Sequence, residues 1–297
     1  MSSRVSLIIP TLNAGNEILS LLQRLDKQTR EIDELVVVDS SSNDCTEKIV
    51  LEYSAAHRNV RFEKIPRDEF DHGLTRDRAL REWTTGDFVL FMTQDAVPVD
   101  DSYIEKILEP FSDSRVAVAS GRQLPKADAR LFERKVREFN YPKSSFVRGK
   151  SDLAQYGIKT FYTTDVCSAY RRSAYLKCGG FCRTMMSEDM YMAAKFVEAD
   201  YLVAYASDAK VFHSHNLTPG QQYKRNYMVG QFLEAHKDIL MGANEIGEGK
   251  KLVKEVAREL LREGHPVEFV SFGIDCAARF LGNRAGRRDV HQTKEKG

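Results

Sequence analysis

Three stretches of the sequence combine residue types that could act together. Glu188 and Asp189 are adjacent, follow Ser187 and precede a helix-like run, Met190 to Val197. Two neighbouring carboxyl groups raise each other's proton affinity, which suits a general base. Asp95 lies in FMTQDAVP, directly behind an apolar segment. A carboxylate there suits Mg2+ or Mn2+, hard ions that take few protein oxygens and keep a diphosphate as a ligand. The third stretch is a pair of polar turns, IIPTLNAGNE and VVVDSSSND. Such turns capping two neighbouring strands make a slot for a base and ribose, in which Asp39 can accept from a pyrimidine imide N–H. Singly, each feature has an ordinary structural explanation. Asp39 would be a turn residue, Asp95 a helix cap, and Glu188 with Asp189 a favourable helix N-terminus. In this order along the chain they point to a nucleotide-sugar site.

The elements that must hold these residues follow from the apolar pattern. Arg4 to Ile9, Glu34 to Val38, Asn59 to Ile65, Asp87 to Met92 and Val116 to Ala119 read as strands. Between them Ile18, Leu19, Leu22 and Leu25 recur at helical spacing, and Cys45 to Tyr53 and Leu74 to Trp83 read as helices. Strands that are near-continuous apolar runs and alternate with helices predict a mostly parallel α/β sheet covered on both faces. Ligands bind such sheets at the carboxyl ends of the strands. The polar clusters Thr11–Asn13, Asp39–Asp44 and Thr93–Asp95 fall at those ends. Thr163 to Ala169 and Tyr201 to Ala206 look like further strands, and from Pro219 the chain reads helical, with Leu252, Val256, Leu260 and Leu261 spaced for one face. The tail from Arg284 is basic and expected to fray.

Composition narrows the function. The 297 residues carry 44 Lys and Arg against 43 Asp and Glu, a formal charge of +1, with 42% hydrophobic residues. That is a globular balance and excludes a strongly basic nucleic-acid binder as first choice. No stretch approaches the roughly 20 apolar residues of a membrane span. The longest candidate, Val267 to Gly282, contains Glu268, Asp275 and Arg279. MSSRVSLIIPTLN has no signal-peptide pattern, and the five cysteines read as reduced thiols, so a cytoplasmic protein is expected. A zinc site from Cys178, Cys182, His213 and His215 would need unusual spacing. No G-x-G-x-x-G follows the first strand and there is no Walker A sequence, which weighs against dinucleotide enzymes and P-loop NTPases. A nucleotidyltransferase of similar fold would want a Gly-rich phosphate loop where this chain has only Gly15. A non-catalytic scaffold would be expected to lose Asp95 or Asp189, and both are present. Residues 122–150 hold nine basic side chains against three acidic ones. They read either as a solvated helix face or as a surface for phosphates.

The segments resemble inverting glycosyltransferases of family 2, which have the GT-A fold, and among them the bacterial rhamnosyltransferases that build cell-surface polysaccharides. The shared wording is IIPTLNAGNE, VVDSSSNDCT, FDHGLTRDRAL, FMTQDAVP, GRQLP, GGF, SEDMYMAAK and VFHSHNLTPGQQYKR. It spans residues 5 to 230, and the order TQDA, GRQLP, ED, HSH is the specific part. The resemblance implies a GT-A, Rossmann-like domain over 1–218 and a helical C-terminal extension over 219–297. It implies that Thr11, Asn13, Glu17, Asp39 and Ser41 line the base and ribose slot, that Arg76 contacts the diphosphate, and that Gln94 and Arg122 belong to the nucleotide-sugar set. Asp95 would hold Mg2+ or Mn2+, with His213 or His215 as second ligand and the choice open. If that segment is extended, both histidines share one face. Thr93-Gln94-Asp95 has one carboxylate fewer than the usual D-x-D, as in the rhamnosyltransferase-like subgroup. Asp189 would be the catalytic base, with Glu188 beside it. The implied partners are dTDP-L-rhamnose as donor and a growing glycan on a polyprenyl diphosphate at the inner face of the cytoplasmic membrane. The basic 122–150 stretch and the basic tail would meet that anionic surface.

Overall fold

The computed structural model describes residues 3–241, 243 and 246–296, the side chains of 246, 248 and 292–296 excepted. Its first half follows the alternation of the sequence. β1 (Val5–Thr11), α1 (Glu17–Leu25), β2 (Glu34–Asp39), α2 (Thr46–Ala56), β3 (Val60–Lys64), α3 (His72–Glu82) and β4 (Phe88–Met92) build four parallel strands in the order β3-β2-β1-β4. Successive residues of β1 point to opposite faces. Val5, Leu7 and Ile9 pack with Leu21 and Leu22 of α1, while Ile8 packs on the other side with Leu80 of α3. α1 buries Ile18, Leu21, Leu22 and Leu25, the i, i+3, i+4, i+7 stripe of a core-facing helix.

Beyond β4 the pairing becomes mixed. β5 (Val97–Pro98), α4 (Tyr103–Leu108), β6 (Val116–Leu124), α5 (Leu131–Asn140), β7 (Phe146–Arg148), α6 (Leu153–Tyr156), β8 (Cys167–Arg171), α7 (Arg172–Lys177), α8 (Glu188–Glu198) and β9 (Leu202–Phe212) follow in chain order. β8 inserts antiparallel between β4 and β6, β6 and β9 are parallel, and β5 and β7 both run antiparallel to β9. A central strand covered on both faces is a continuous apolar run in either orientation, so the pattern alone does not reveal the reversal at β8. β6, β4 and β1 nevertheless run the same way. Their carboxyl ends, that of β9 and the amino end of β8 therefore share one edge of the sheet.

The strands expected from Thr163 and from Tyr201 differ in extent. β8 begins only at Cys167, leaving 163–166 as a loop at the functional edge, and β9 continues to Phe212, directly before the first histidine of HSH. The C-terminal part is helical, with α9 (Pro219–Ala235), α10 (Ile246–Arg262) and α11 (Pro266–Lys296). Thr218 and Gln221 cap α9 reciprocally, and Pro219 occupies its first turn. Phe132 and Val136 of α5 meet Val256 and Leu260 of α10 and Phe272 of α11 in a small separate core. The tail expected to fray instead continues α11. Among the described residues no helix is long and apolar enough to cross a membrane.

The basic run is not the open surface anticipated for it. Lys135 binds Glu259 and Glu263 of α10 at 3.2 and 2.9 Å, and Arg134 donates to the carbonyls of Ala127 and Ala129. Arg130 donates to Leu217 O at 2.6 Å, and Arg137 bonds Gln123 and Glu133. Arg130, Lys135 and Arg137 thereby tie α5 to its neighbours, while Arg134 stays exposed.

α11 lies so close to α9 that glycine is required between them. A Cβ on Gly286 would sit 2.0 Å from the Tyr227 carbonyl, whereas one on Gly273 meets nothing within 4 Å. Gly-to-Ala in an exposed helix gains about 1 kcal/mol from propensity. Gly273→Ala should therefore raise the melting temperature. Gly286→Ala should lower it, since overpacking costs about 1–3 kcal/mol. Thermal unfolding of the two variants checks the sign of each, and equal shifts would contradict the close packing.

Candidate active site

Asp95 lies in the turn after β4, and His213 and His215 follow β9. His213 Nε2 is 3.4 Å and His215 Nε2 3.3 Å from the same Asp95 oxygen, and the three ligand atoms lie within 4.8 Å of one another. Both histidines therefore meet Asp95, where the sequence left the choice between them open. The combination of Cys178 and Cys182 with these histidines does not form. Cys182 instead approaches His236, at 3.9 Å.

The neighbours of the triad suit it to a metal. His213 Nδ1 lies 2.8 Å from Gln123 Oε1. An amide oxygen only accepts, so Nδ1 carries the proton and the Nε2 lone pair faces Asp95. Burial holds the His213 ring down to about 3, Asp95 notwithstanding, and burial lowers His215 as well, so both are neutral near pH 7. Burial pushes the Asp95 carboxyl up, but the two rings, Thr93 and Lys126 more than offset this and leave it below its usual value. Two neutral imidazoles and a carboxylate are a divalent-cation donor set with positions left open for a substrate. Lys126 Nζ, 3.9 Å from the same Asp95 oxygen, adds a positive charge at the rim.

Gln123 was not anticipated, although GRQLP was. A one-residue step along a strand reverses the face, and it is Gln123, not Arg122, that lines the hollow beside the histidines. Arg122 takes no part in the cluster, and its Nε is buried without a hydrogen-bond partner. Loss of such an orienting partner typically costs about 10–100-fold in metal affinity. Gln123→Leu should weaken Mn2+ binding by that factor in a calorimetric titration, and an unchanged affinity would count against the orienting role.

The second group is anionic. Ser187, at φ 67°, turns the chain into α8 and sets Glu188 and Asp189 at its start. Asp189 accepts from the backbone N–H groups of Met190 at 2.7 Å and Asp165 at 3.4 Å. Asp165, absent from the sequence reading, is buried and accepts from Ser168 Oγ at 2.7 Å and Tyr170 OH at 2.8 Å. Burial, then Glu188, then Asp165 push the Asp189 carboxyl well above the carboxylate range. Burial and Glu188 raise Asp165 to about 6 against the pull of Arg76. Arg76, expected at the diphosphate, is 3% exposed, 3.3 Å from Glu188 and 3.9 Å from Asp165, and donates to His72 O at 3.0 Å, so its charge is set against the carboxylates.

The third group is the polar slot. Asp39 is fully buried and accepts from Thr11 Oγ1 at 3.2 Å and from Ser42 N at 2.8 Å. Asn13, at φ 51°, joins the two turns by donating from its N–H to Ser42 Oγ at 2.7 Å and accepting from Asn43 N at 3.0 Å. Ser41, at φ 58°, donates to Ile65 O, and Glu17 is exposed on α1. Gln94 bonds both the N–H and the carbonyl of Leu12, at 2.8 and 3.2 Å, which ties the slot to the Asp95 turn.

Behind the histidines a cavity of about 280 Å3 opens between α5, α9 and α11. Arg130, Arg137, Arg225 and Arg279 contribute to its lining, with Glu133 and Asp275. Burial, then the charge of Arg279, holds the Arg225 guanidinium below its usual value, while Glu133 pulls the other way.

Comparison with known proteins shows the family and the fold. The family model for glycosyl transferase family 2 matches residues 6–179. The O-antigen chain rhamnosyltransferase WbaN of Salmonella anatum is 38% identical over 290 residues, covering 95% of this chain and 89% of that protein. The O-antigen chain rhamnosyltransferase RfbN of Salmonella typhimurium is 36% identical over 288 residues, covering 96% and 90%. Among solved structures, the mannosyltransferase PcManGT from Pyrobaculum calidifontis, in complex with GDP-Man and Mn2+, superposes with a TM-score of 0.67 at 17% identity, over 97% of this chain and 88% of that one. TarS 1-349 of S. aureus in complex with UDP-GlcNAc gives 0.57 at 16%, over 96% and 92%. At these identities the structures show a shared fold.

Proposed function

We propose that this chain, which belongs to glycosyl transferase family 2, moves L-rhamnose from dTDP-L-rhamnose to a growing cell-surface polysaccharide carried on a lipid diphosphate. The chain is a glycosyltransferase; donor, acceptor and metal are our reading. What carries the choice of sugar is that two relatives at least 36% identical over nearly the whole chain are O-antigen chain rhamnosyltransferases.

The residues divide the work between them. The slot of Thr11, Asn13 and Asp39 receives base and ribose, and Gln94 keeps it in register with Asp95. Asp95, His213 and His215 would hold a divalent ion, which when bound neutralises charge on the departing diphosphate. Mg2+ prefers oxygen ligands, so a set in which two of three donors are imidazole favours Mn2+. Asp189 takes the proton of the acceptor hydroxyl, whose oxygen attacks the anomeric carbon. The nucleoside diphosphate leaves from the opposite side, so the sugar inverts. Glu188 and Asp165 raise the proton affinity of Asp189, and Arg76 keeps the three carboxyl groups tolerable in one buried place.

That arrangement fixes the sign of the pH dependence. The base works only when deprotonated, and its environment raises its pKa. Burial, Glu188 and Asp165 raise Asp189 well above the carboxylate range, so activity should fall at an acid pH where an ordinary aspartate, at about 3.9, would still be ionised. His213, at about 3, titrates outside that window. A profile of kcat/KM that stays flat down to pH 5 would count against the raised base.

The donor is tested by calorimetry and transfer assays with dTDP-rhamnose, UDP-sugars and GDP-sugars, with and without Mn2+. Metal-dependent binding and turnover of dTDP-rhamnose above the others is the expected result. Preference for a UDP- or GDP-sugar would overturn the donor and leave the family and fold untouched.

A further inference from the structure

A second hollow, of about 890 Å3, lies between α10 and α11. Leu252, Val253, Cys276 and Phe280 contribute its apolar walls, with Phe280 63% and Val253 41% exposed. Lys250, Lys254 and Arg284 stand exposed at its rim. The hollow shares Asn226 and Arg279 with the arginine-lined cavity that reaches His213 and His215. Asn226 and Arg279 thus form a wall common to the two hollows, with Arg279 held by Asp275 at 2.6 Å.

We propose that this trough binds the isoprenoid chain of a diphosphate-linked acceptor, with Arg279, Lys250, Lys254 and Arg284 receiving the diphosphate. The proposal rests on the reading that the acceptor is lipid-linked and gives that lipid a place on the protein. Apolar walls beneath a cationic rim complement an amphiphile with a hydrocarbon tail and an anionic head. The volume is within the roughly 300–1,000 Å3 of ordinary ligand sites. A second copy of the chain suits the trough poorly, because a two-fold interface would set rim cations against rim cations. Arg279 lines both hollows, so a diphosphate bound to it would lie on the side of the trough that borders the histidine cavity.

The test uses the full chain and farnesyl diphosphate as probe, with inorganic diphosphate and vesicles of phosphatidylglycerol as comparison arms. Farnesyl diphosphate should bind at least about tenfold more tightly than inorganic diphosphate. Phe280→Asp should cost at least about tenfold of that affinity, as expected for loss of one buried aromatic contact. Val253→Asp is the second variant, and an unchanged melting temperature and far-UV circular dichroism in both report that each remains folded. Equal affinity for inorganic diphosphate, or farnesyl diphosphate binding indifferent to both substitutions, would overturn the proposal. So would binding to the vesicles without binding to farnesyl diphosphate, which would make the trough a membrane contact. None of these readouts requires rhamnose transfer. A wrong donor would show in the nucleotide-sugar titrations and leave the trough result standing.

Discussion

Asp189→Asn should abolish transfer while leaving donor binding nearly intact. The amide keeps the shape of the carboxyl group, and its single oxygen can still accept from Met190 N at the cost of the longer bond from Asp165 N, but it cannot take a proton from the acceptor. Loss of a general base typically costs about 10²–10⁴ in rate. The donor contacts lie elsewhere, on Asp95, the two histidines and the Thr11–Asp39 slot, so dTDP with Mn2+ should titrate as in the parent. The fold should also hold. The substitution removes one of three crowded carboxyl groups that burial and mutual repulsion make costly to ionise, and Arg76 keeps Glu188 and Asp165 as partners. A melting temperature equal to or above that of the parent, with transfer down by at least two orders of magnitude, is the expected pair of results. Transfer within a few-fold of the parent would remove Asp189 from the role. Asp165→Asn is the useful companion. Asp165 is bound to Ser168 and Tyr170 and sits behind Asp189, so its loss should shift the acid limb of the pH profile downward more than it lowers the plateau rate.

The legible part of this protein was the part that chain periodicity controls. β1, β2 and β4 announce themselves because each is an apolar run bounded by a helical pattern, whereas β3, with Arg61, Glu63 and Lys64, is a weaker, partly exposed strand, and the polar residues at the ends of the apolar runs fall at the edge where ligands bind. HSH was legible as a pair, and the placing of β9 up to Phe212 explains why both rings reach Asp95. What the pattern hid has particular causes. Asp165 lay inside a segment read as strand from Thr163, and β8 in fact starts two residues after it. An acid just before an antiparallel strand faces the carboxyl ends of its parallel neighbours, which is the signal that would have found it. Arg76 looks like a phosphate ligand from its neighbours in sequence, but α3 turns it inward, and two carboxylates brought from other parts of the chain take up its charge. The basic stretch could not be separated from a solvated face without knowing that α10 would bring Glu259 and Glu263 to Lys135. Residues whose partners are distant in sequence carry no local mark of them.

Asp95→Ala should remove metal-dependent binding of the nucleoside diphosphate. Of the three groups that converge there, only Asp95 is anionic, since both rings are held neutral by burial. Without it two neutral imidazoles remain, and Lys126, 3.9 Å from the lost oxygen, turns from a partner of the carboxylate into an unopposed positive charge beside the cation. Both changes act in one direction, so the loss should reach the upper end of what even an indirect partner costs, about a hundredfold or more in Mn2+ affinity. His213→Ala and His215→Ala each take away a neutral donor and leave the charge balance intact, so each should cost less. Of the two, His213 is buried and tied to Gln123, and its loss should also lower the melting temperature, whereas His215 is open to solvent and should leave it unchanged. Lys126→Ala should move the other way and tighten Mn2+ binding in the absence of nucleotide. Calorimetry of dTDP with and without Mn2+ across these four variants gives the ranking directly. If Asp95→Ala binds dTDP with undiminished metal dependence while a histidine variant does not, the cation is held by a different carboxylate, and the site has to be rebuilt around Glu188 and Asp189.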